Sequence, residues 1–241
     1  MAKKIKLILA IFFFLLGFMI FIYPIVTNYL YDKKVEKLEE SFEKIVKLVE
    51  ENNTEENSNN NYKDIDFTSI YNLLNEENNK IYQDNQKTFL NQSISYEDTL
   101  IDLTSYGLNE NIIGFLSIPS ISVKLPIYLG ANTGNMRYGA VHLTGTSYPI
   151  GGVNTNSVIA AHRGYYKALM FRHIDKINIG DTLYIKNFKE TLEYKAVRTD
   201  IIKPSELNKL TIEEGKDMIT IISCHPFPHN YERYVVYFER A

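Results

Sequence analysis

From Leu7 to Val26 the chain runs for twenty residues without a charge (LILAIFFFLLGFMIFIYPIV). That is the length a helix needs to cross a bilayer core. Lys3, Lys4 and Lys6 precede the run. Basic residues stay on the cytoplasmic side, so the rest of the chain is expected outside. The exit, YPIVTNYLYDKK, carries no small-residue cleavage site. The run therefore reads as a retained anchor rather than a cleaved signal peptide. Tyr23, Tyr29 and Tyr31 suit the outer interface, where amphipathic rings settle.

The pattern then changes period. Val35, Leu38, Phe42, Ile45 and Val49 are spaced 3, 4, 3 and 4 along DKKVEKLEESFEKIVKLVEE. This predicts a charged helix with a narrow apolar seam. About two heptads are too few for a stable coiled coil, so the helix is expected to pack on its own domain. ENNTEENSNNNY (51–62) has no apolar periodicity and predicts a flexible spacer. Residues 64–98 predict mainly helix, with Ile65, Phe67, Ile70, Tyr71, Leu73 and Leu74 leading. This segment either packs against the following domain or covers its groove.

From about Asn109 short apolar runs recur, separated by Gly and Pro. Residues 112–118, 124–130, 157–162, 182–187, 191–202, 217–224 and 233–240 predict strands, and ALMFRHID (168–175) a short helix. Strands this short and frequent, with little helix between them, indicate a closed or nearly closed β-barrel. Composition agrees: Tyr (18) and Phe (13) are plentiful, and both favour strands. A net charge of −3 gives no electrostatic footprint for nucleic acid.

Cys224 is the single cysteine, so no internal disulfide and no cysteine zinc cluster can form. It ends an apolar strand, and Arg233 opens the next. If the two strands form a hairpin, thiol and guanidinium face each other across the mouth of HPFPHNYE. His162 ends a third strand. A thiolate can attack a carbonyl to give a thioester, an imidazole can move the protons, and a fixed fork of donors can hold the oxyanion. His225 and His229 are rival bases by position. They are four apart, but the prolines of this loop argue against a helix presenting both to a metal. No metal or organic cofactor is expected.

Three blocks carry a resemblance. GTSYPIGGVNTNSVIAAHRGYYKALMFRHIDKINIGDTLYIKN (145–187) strongly resembles the central block of sortases. ITIISCHPFPHNYERYVVY (219–237) resembles the block holding that family's nucleophile and arginine, and IGFLSIPSISVKLPIYLG (113–130) its opening strands. The wording around His162 looks most like class C, the pilin polymerases. The resemblance implies a mainly β fold: a sortase-type closed β-barrel with short helices, preceded by an N-terminal transmembrane helix and a helical segment. It implies His162, Cys224 and Arg233 as catalytic residues. Ser223 and Ala161, each just before a catalytic position, become candidate substrate-binding residues.

The implied reaction cleaves an LPXTG-like sorting signal through a Cys thioester and transfers the acyl group to an amine. Implied partners are surface or pilin proteins bearing such a C-terminal signal and an amine acceptor, a pilin lysine or a wall precursor. The anchor adds membrane lipid. Anchoring of surface proteins to wall precursor and simple thiol hydrolysis are the alternative outcomes. The expected organisation is a membrane anchor with a short cytoplasmic tip (1–31), a charged stalk and Asn-rich linker (32–62), a helical segment and candidate lid (63–108), and the catalytic barrel (109–241). The chain is expected to be a single-pass membrane protein with its catalytic domain extracytoplasmic. Residues 64–98 lack the Asp-Pro-aromatic tripeptide that commonly anchors a class C lid, so any cover is expected to rest on generic apolar packing.

Overall fold

Alternating apolar positions force strands to bury one face, and closing the sheet on itself removes its edges. That solution is found in a computed structural model describing residues 2–52, 65–91, 99–108, 110–165 and 168–241. The strands are β1 (Ile112–Ile118), β2 (Val123–Leu129), β3 (Ala140–His142), β4 (Thr155–Ala160), β5 (Thr182–Asn187), β6 (Thr191–Ile202), β7 (Asp217–His225) and β8 (Glu232–Arg240). They close in the order β1-β2-β3-β4-β7-β8-β6-β5. The β2–β3 and β4–β7 pairs are parallel and the others antiparallel. Phe115, Tyr194, Tyr237 and Phe238 are among the largest fully buried side chains. Gly114 marks the tightest approach of β1 to β5: a Cβ there would lie 2.2 Å from the Lys186 carbonyl oxygen.

Helix α1 (Ala2–Asn52) is continuous through Pro24 and joins the apolar run to the charged seam. It is long and apolar enough to cross a membrane. The seam packs on the barrel: Val35, Phe42 and Val49 are buried, and Phe42 meets Phe115 edge to face at 5.5 Å. Burying such side chains contributes about 1.5–3 kcal/mol each. Glu39 pairs with Lys124 at 2.7 Å, and Glu43 with Lys186. The spacer expected at 51–62 lies, from residue 53 on, outside the described residues.

Helices α2 (Phe67–Gln83) and α3 (Lys87–Leu90) supply the helical segment. Asp66 caps α2 by accepting from the Thr68 and Ser69 amides. Buried Asn78 exchanges two hydrogen bonds with the backbone of Tyr148, in the connection that enters β4. Phe67 stacks on Phe188 at 5.0 Å, at the β5–β6 turn. The Gln86 side chain accepts from the Ile212 amide. These contacts hold residues 67–91 at the end of the barrel where β4 and β7 begin. Asn78 and Phe67 find their partners at the end away from Cys224, so the described part of the segment packs on that end. Residues 92–98 lie outside the described residues.

The helix expected at 168–175 is replaced by turns and a short 3-10 turn at Ile174–Lys176. Met170 adopts a left-handed φ of 44°, which a helix interior does not accommodate. The Leu169 amide donates to Asn28 of α1 instead of to a helix neighbour. A short helix α4 (Thr133–Met136) and the three-residue β3 are too short to give a periodic signal in the sequence.

Candidate active site

Cys224 and Arg233 are direct partners in the β7–β8 ladder. Direct partners project from the same face, which sets thiol and guanidinium side by side. The connecting loop holds two cis X–Pro bonds, His225–Pro226 and Phe227–Pro228. The Arg233 Nη1 donates to the carbonyls of Asn230 and Glu232 at 2.7 and 2.8 Å. A guanidinium has five N–H donors, so these two bonds hold the group without exhausting it.

β4 runs parallel to β7 with Ala160 opposite Ile222, and the Ala161 amide extends the pairing to the Ile222 carbonyl at 3.3 Å. His162 follows, two residues beyond the strand. Gly164, at φ 88°, turns the chain away in a conformation that other residues adopt only with strain. The His162 ring is half-buried and stacks on Tyr165, centroids 5.4 Å apart and planes 12° apart. Burial lowers its pKa below the ordinary 6.5, because a ring taken from water resists charge. His162 is therefore neutral at pH 7 and able to accept a proton.

The five candidates His162, Cys224, Arg233, Ser223 and Ala161 all line one cleft of about 90 Å³. Met136, Leu143 and Ile222 contribute apolar wall. The buried Ser223 hydroxyl donates to the Ala161 carbonyl at 2.8 Å. The Ser223 hydroxyl and the Ala161 carbonyl thus tie together the residues directly preceding Cys224 and His162.

Arg163 is a site residue that sequence reasoning passed over. Its side chain is 6% exposed. Nη2 pairs with Asp175 at 2.8 Å, and Nη1 contacts the Nδ1 of His225 at 2.8 Å and the Cys224 carbonyl at 3.4 Å. Arginine can only donate, so His225 Nδ1 accepts and is unavailable as a base. The ring of Tyr234 lies 5.7 Å beneath the guanidinium. The other rival, His229, lies beside Tyr231 in the β7–β8 loop and does not line the cleft. No sequence signal marked Arg163 beyond its place after His162, since its burial depends on partners from three separate segments.

A nucleophile, a neutral imidazole and an anchored guanidinium around a small apolar-walled cleft can perform acyl transfer through a thioester. Comparison with known proteins points the same way. The Sortase family model, described as a sortase domain, matches residues 116–241. Sortase A of Bacillus anthracis is 27% identical over 156 residues, covering 64% of this chain and 72% of that protein. Among solved structures, Sortase C2 of group B Streptococcus pilus island 1 is 35% identical, with a TM-score of 0.57 over 70% of this chain and 97% of that one. A lid mutant of Streptococcus agalactiae Sortase C1 superposes with a TM-score of 0.64 at 29% identity, covering 72% and 88% of the two chains. With the family model matching more than half of its length and the barrel of that family built around Cys224, the chain belongs to the sortase family.

Proposed function

We propose that this sortase cleaves an LPXTG-like sorting signal and joins the new acyl end to an amine. The observation that carries the reading is the direct pairing of Cys224 with Arg233, with His162 just beyond the end of the adjoining parallel strand and all three lining one cleft. In the proposed reaction the Cys224 thiol passes its proton to neutral His162 as the sulfur attacks the scissile carbonyl carbon, while Arg233 donates to the developing oxyanion. The C–N bond breaks, and His162 delivers the proton that the leaving amine needs. The thioester is then attacked by an incoming amine. Its proton passes to His162, and the thiolate leaves.

The likeness to pilus-island C-type sortases supports a pilin lysine as that amine and a pilin as the acyl donor. The apolar run of α1, preceded by three lysines, supports single-pass anchoring with the barrel outside the cell. The test incubates the full chain in detergent with a sorting-signal peptide, with and without a pilin-derived lysine peptide or a wall-precursor amine. Mass spectrometry should show a thioester on Cys224 and an isopeptide product with the lysine peptide. Product only with the wall-precursor amine would reassign the acceptor. Release to water alone, unaffected by either amine, would make the protein a hydrolase. Cleavage retained by Cys224→Ala would refute the covalent mechanism.

A further inference from the structure

We propose that the end of the barrel carrying the cleft rests on the outer surface of the membrane, so that Cys224 works at headgroup level. The inference relies on the reading that α1 crosses the bilayer, and it adds the direction in which the barrel faces.

The argument begins with the helix. α1 passes from its apolar run into its barrel-packing seam without a break. The last apolar residue of the run is Val26, and Asn28 already accepts from the Leu169 amide at 2.9 Å. At ~1.5 Å of rise per residue, the two are about 3 Å apart along the axis. One turn on, the Tyr31 hydroxyl donates to the Tyr138 carbonyl at 2.8 Å. A headgroup layer is about 5–8 Å deep on each side of the hydrocarbon. The first contacts between helix and barrel therefore fall inside that layer, with no spacer between bilayer and domain. Pro24 allows a bend within the apolar run, but everything from Asn28 onward is fixed to the barrel.

The end contacted is the one that holds the site. Leu169 and Tyr138 precede β5 and β3 on the side where β4 and β7 end. From there α1 travels the barrel's length: Glu39 reaches Lys124, Phe42 reaches Phe115, and Val49 with Glu50 borders Phe188 at the far end. The Leu169 turn is linked to the β7–β8 loop by the Arg172 guanidinium, 3.6 Å above the Phe227 ring. Leu169, Tyr138, Phe227 and Tyr231 are all exposed at this end. Aromatic and aliphatic tips flanking an anchor are suited to an interface of lipid headgroups. Lys34 and Arg137 line a groove of about 510 Å³ between α1 and β2, and the same groove reaches Tyr165, the ring stacked on His162. Side chains on a helix lean toward its N-terminus, so Lys34 leans toward the membrane. The occupant of this surface is the bilayer that α1 itself spans, and the substrates Cys224 meets are those presented at that surface.

The experiment reconstitutes the full chain in phosphatidylcholine–phosphatidylglycerol nanodiscs containing a lipid with a headgroup nitroxide. Cys224→Ser removes the native thiol. Single fluorophores are attached through Leu169→Cys, Phe227→Cys or, at the far β5–β6 turn, Glu190→Cys. Emission at positions 169 and 227 should fall at least twofold on adding the nitroxide lipid, and that at 190 by less than a tenth. Equal quenching at all three positions, or stronger quenching at 190, overturns the proposed orientation while leaving the anchor intact. A chain that does not co-elute with the nanodisc overturns the anchor reading, and the orientation with it.

Discussion

The Ser223–Ala161 hydrogen bond joins the two residues that immediately precede Cys224 and His162, so removing it should loosen the placement of Cys224 against His162 without touching either. Both residues are buried, at 3% and 2% exposure, and the bond is 2.8 Å long. Ser223→Ala or Ser223→Val leaves the Ala161 carbonyl without this donor in a place that water does not readily reach. An unsatisfied buried acceptor costs about 1–3 kcal/mol. Taking about 2 kcal/mol, the melting temperature should fall by about 4–8 °C for a chain of this size. The effect on rate follows from geometry. A displacement of about 1 Å in a reacting group can cost ~10²-fold, so kcat/KM for a sorting-signal peptide should fall by about 10–100-fold, mostly in kcat. Ser223→Thr keeps the donor and should stay within about threefold of the parent. The Val and Thr variants have nearly the same shape and differ in the hydroxyl. Peptide-cleavage kinetics and thermal unfolding of the three variants are the assay. If Val matches Thr in both measurements, the hydroxyl does not act as a clamp and the argument fails.

Arg233→Lys keeps a charge but loses the planar fork, and peptide cleavage should fall by about 10²–10³-fold with the fold retained; a variant keeping a third of the parent activity would make Arg233 a structural residue. Arg163→Met should lower the melting temperature by about 2–8 °C, since it removes charged hydrogen bonds worth about 1–2 kcal/mol net while leaving half-exposed Asp175 in water; an unchanged melting temperature would contradict its bridging role. His142 is fully buried, with Nε2 against the Thr146 and Ser147 carbonyls, and burial lowers its pKa from 6.5 to about 4. The unfolded chain then binds more protons between pH 6.5 and about 4, so stability is complete above 6.5 and falls by about 3 kcal/mol as pH drops through that window. In urea titrations, His142→Gln should flatten that fall, and an unaltered pH dependence would refute the assignment.

The parts of the site that could be read from the sequence are those carried by short apolar runs. The runs ending in Cys224 and beginning at Arg233 are near-continuously apolar and separated by eight residues, so a hairpin that sets the two side by side could be expected, and the ladder pairs them directly. The apolar pattern makes His162 a strand end, yet it lies two residues beyond one, because Ala161 prolongs that pattern after β4 has stopped at Ala160. Arg163 was illegible: an arginine in a turn ordinarily faces solvent, and its burial needs Asp175, His225 and Tyr234 to converge. The 168–175 segment carries helical spacing, yet a tertiary bond to Asn28 and the backbone of Met170 override it. The docking site of α2 was likewise hidden. Its apolar face specifies that it packs, while Asn78, a polar residue on the same buried stripe as Ile70 and Leu74, specifies where.

The stalk shows how one seam can do two jobs. A charged helix with apolar residues every three or four positions could pair with another helix or lie on its own domain. Here Val35, Phe42 and Val49 face the barrel, and the flanking carboxylates Glu39 and Glu43 meet Lys124 and Lys186, on β2 and β5. Exposed ion pairs of this kind contribute little energy, about 0–1 kcal/mol each, so the buried seam supplies the adhesion and the charges set the register. Register matters because α1 is unbroken from Asn28 to Val49: sliding it by one turn would move Asn28 and Tyr31 about 5 Å from Leu169 and Tyr138. A flexible tether would leave the cleft free to point anywhere. A seam locked from Asn28 to Val49 instead transmits the direction of α1 to the strands that carry Cys224 and Arg233. The same residues that stabilise the helix on the barrel therefore also fix how Cys224 is presented relative to it.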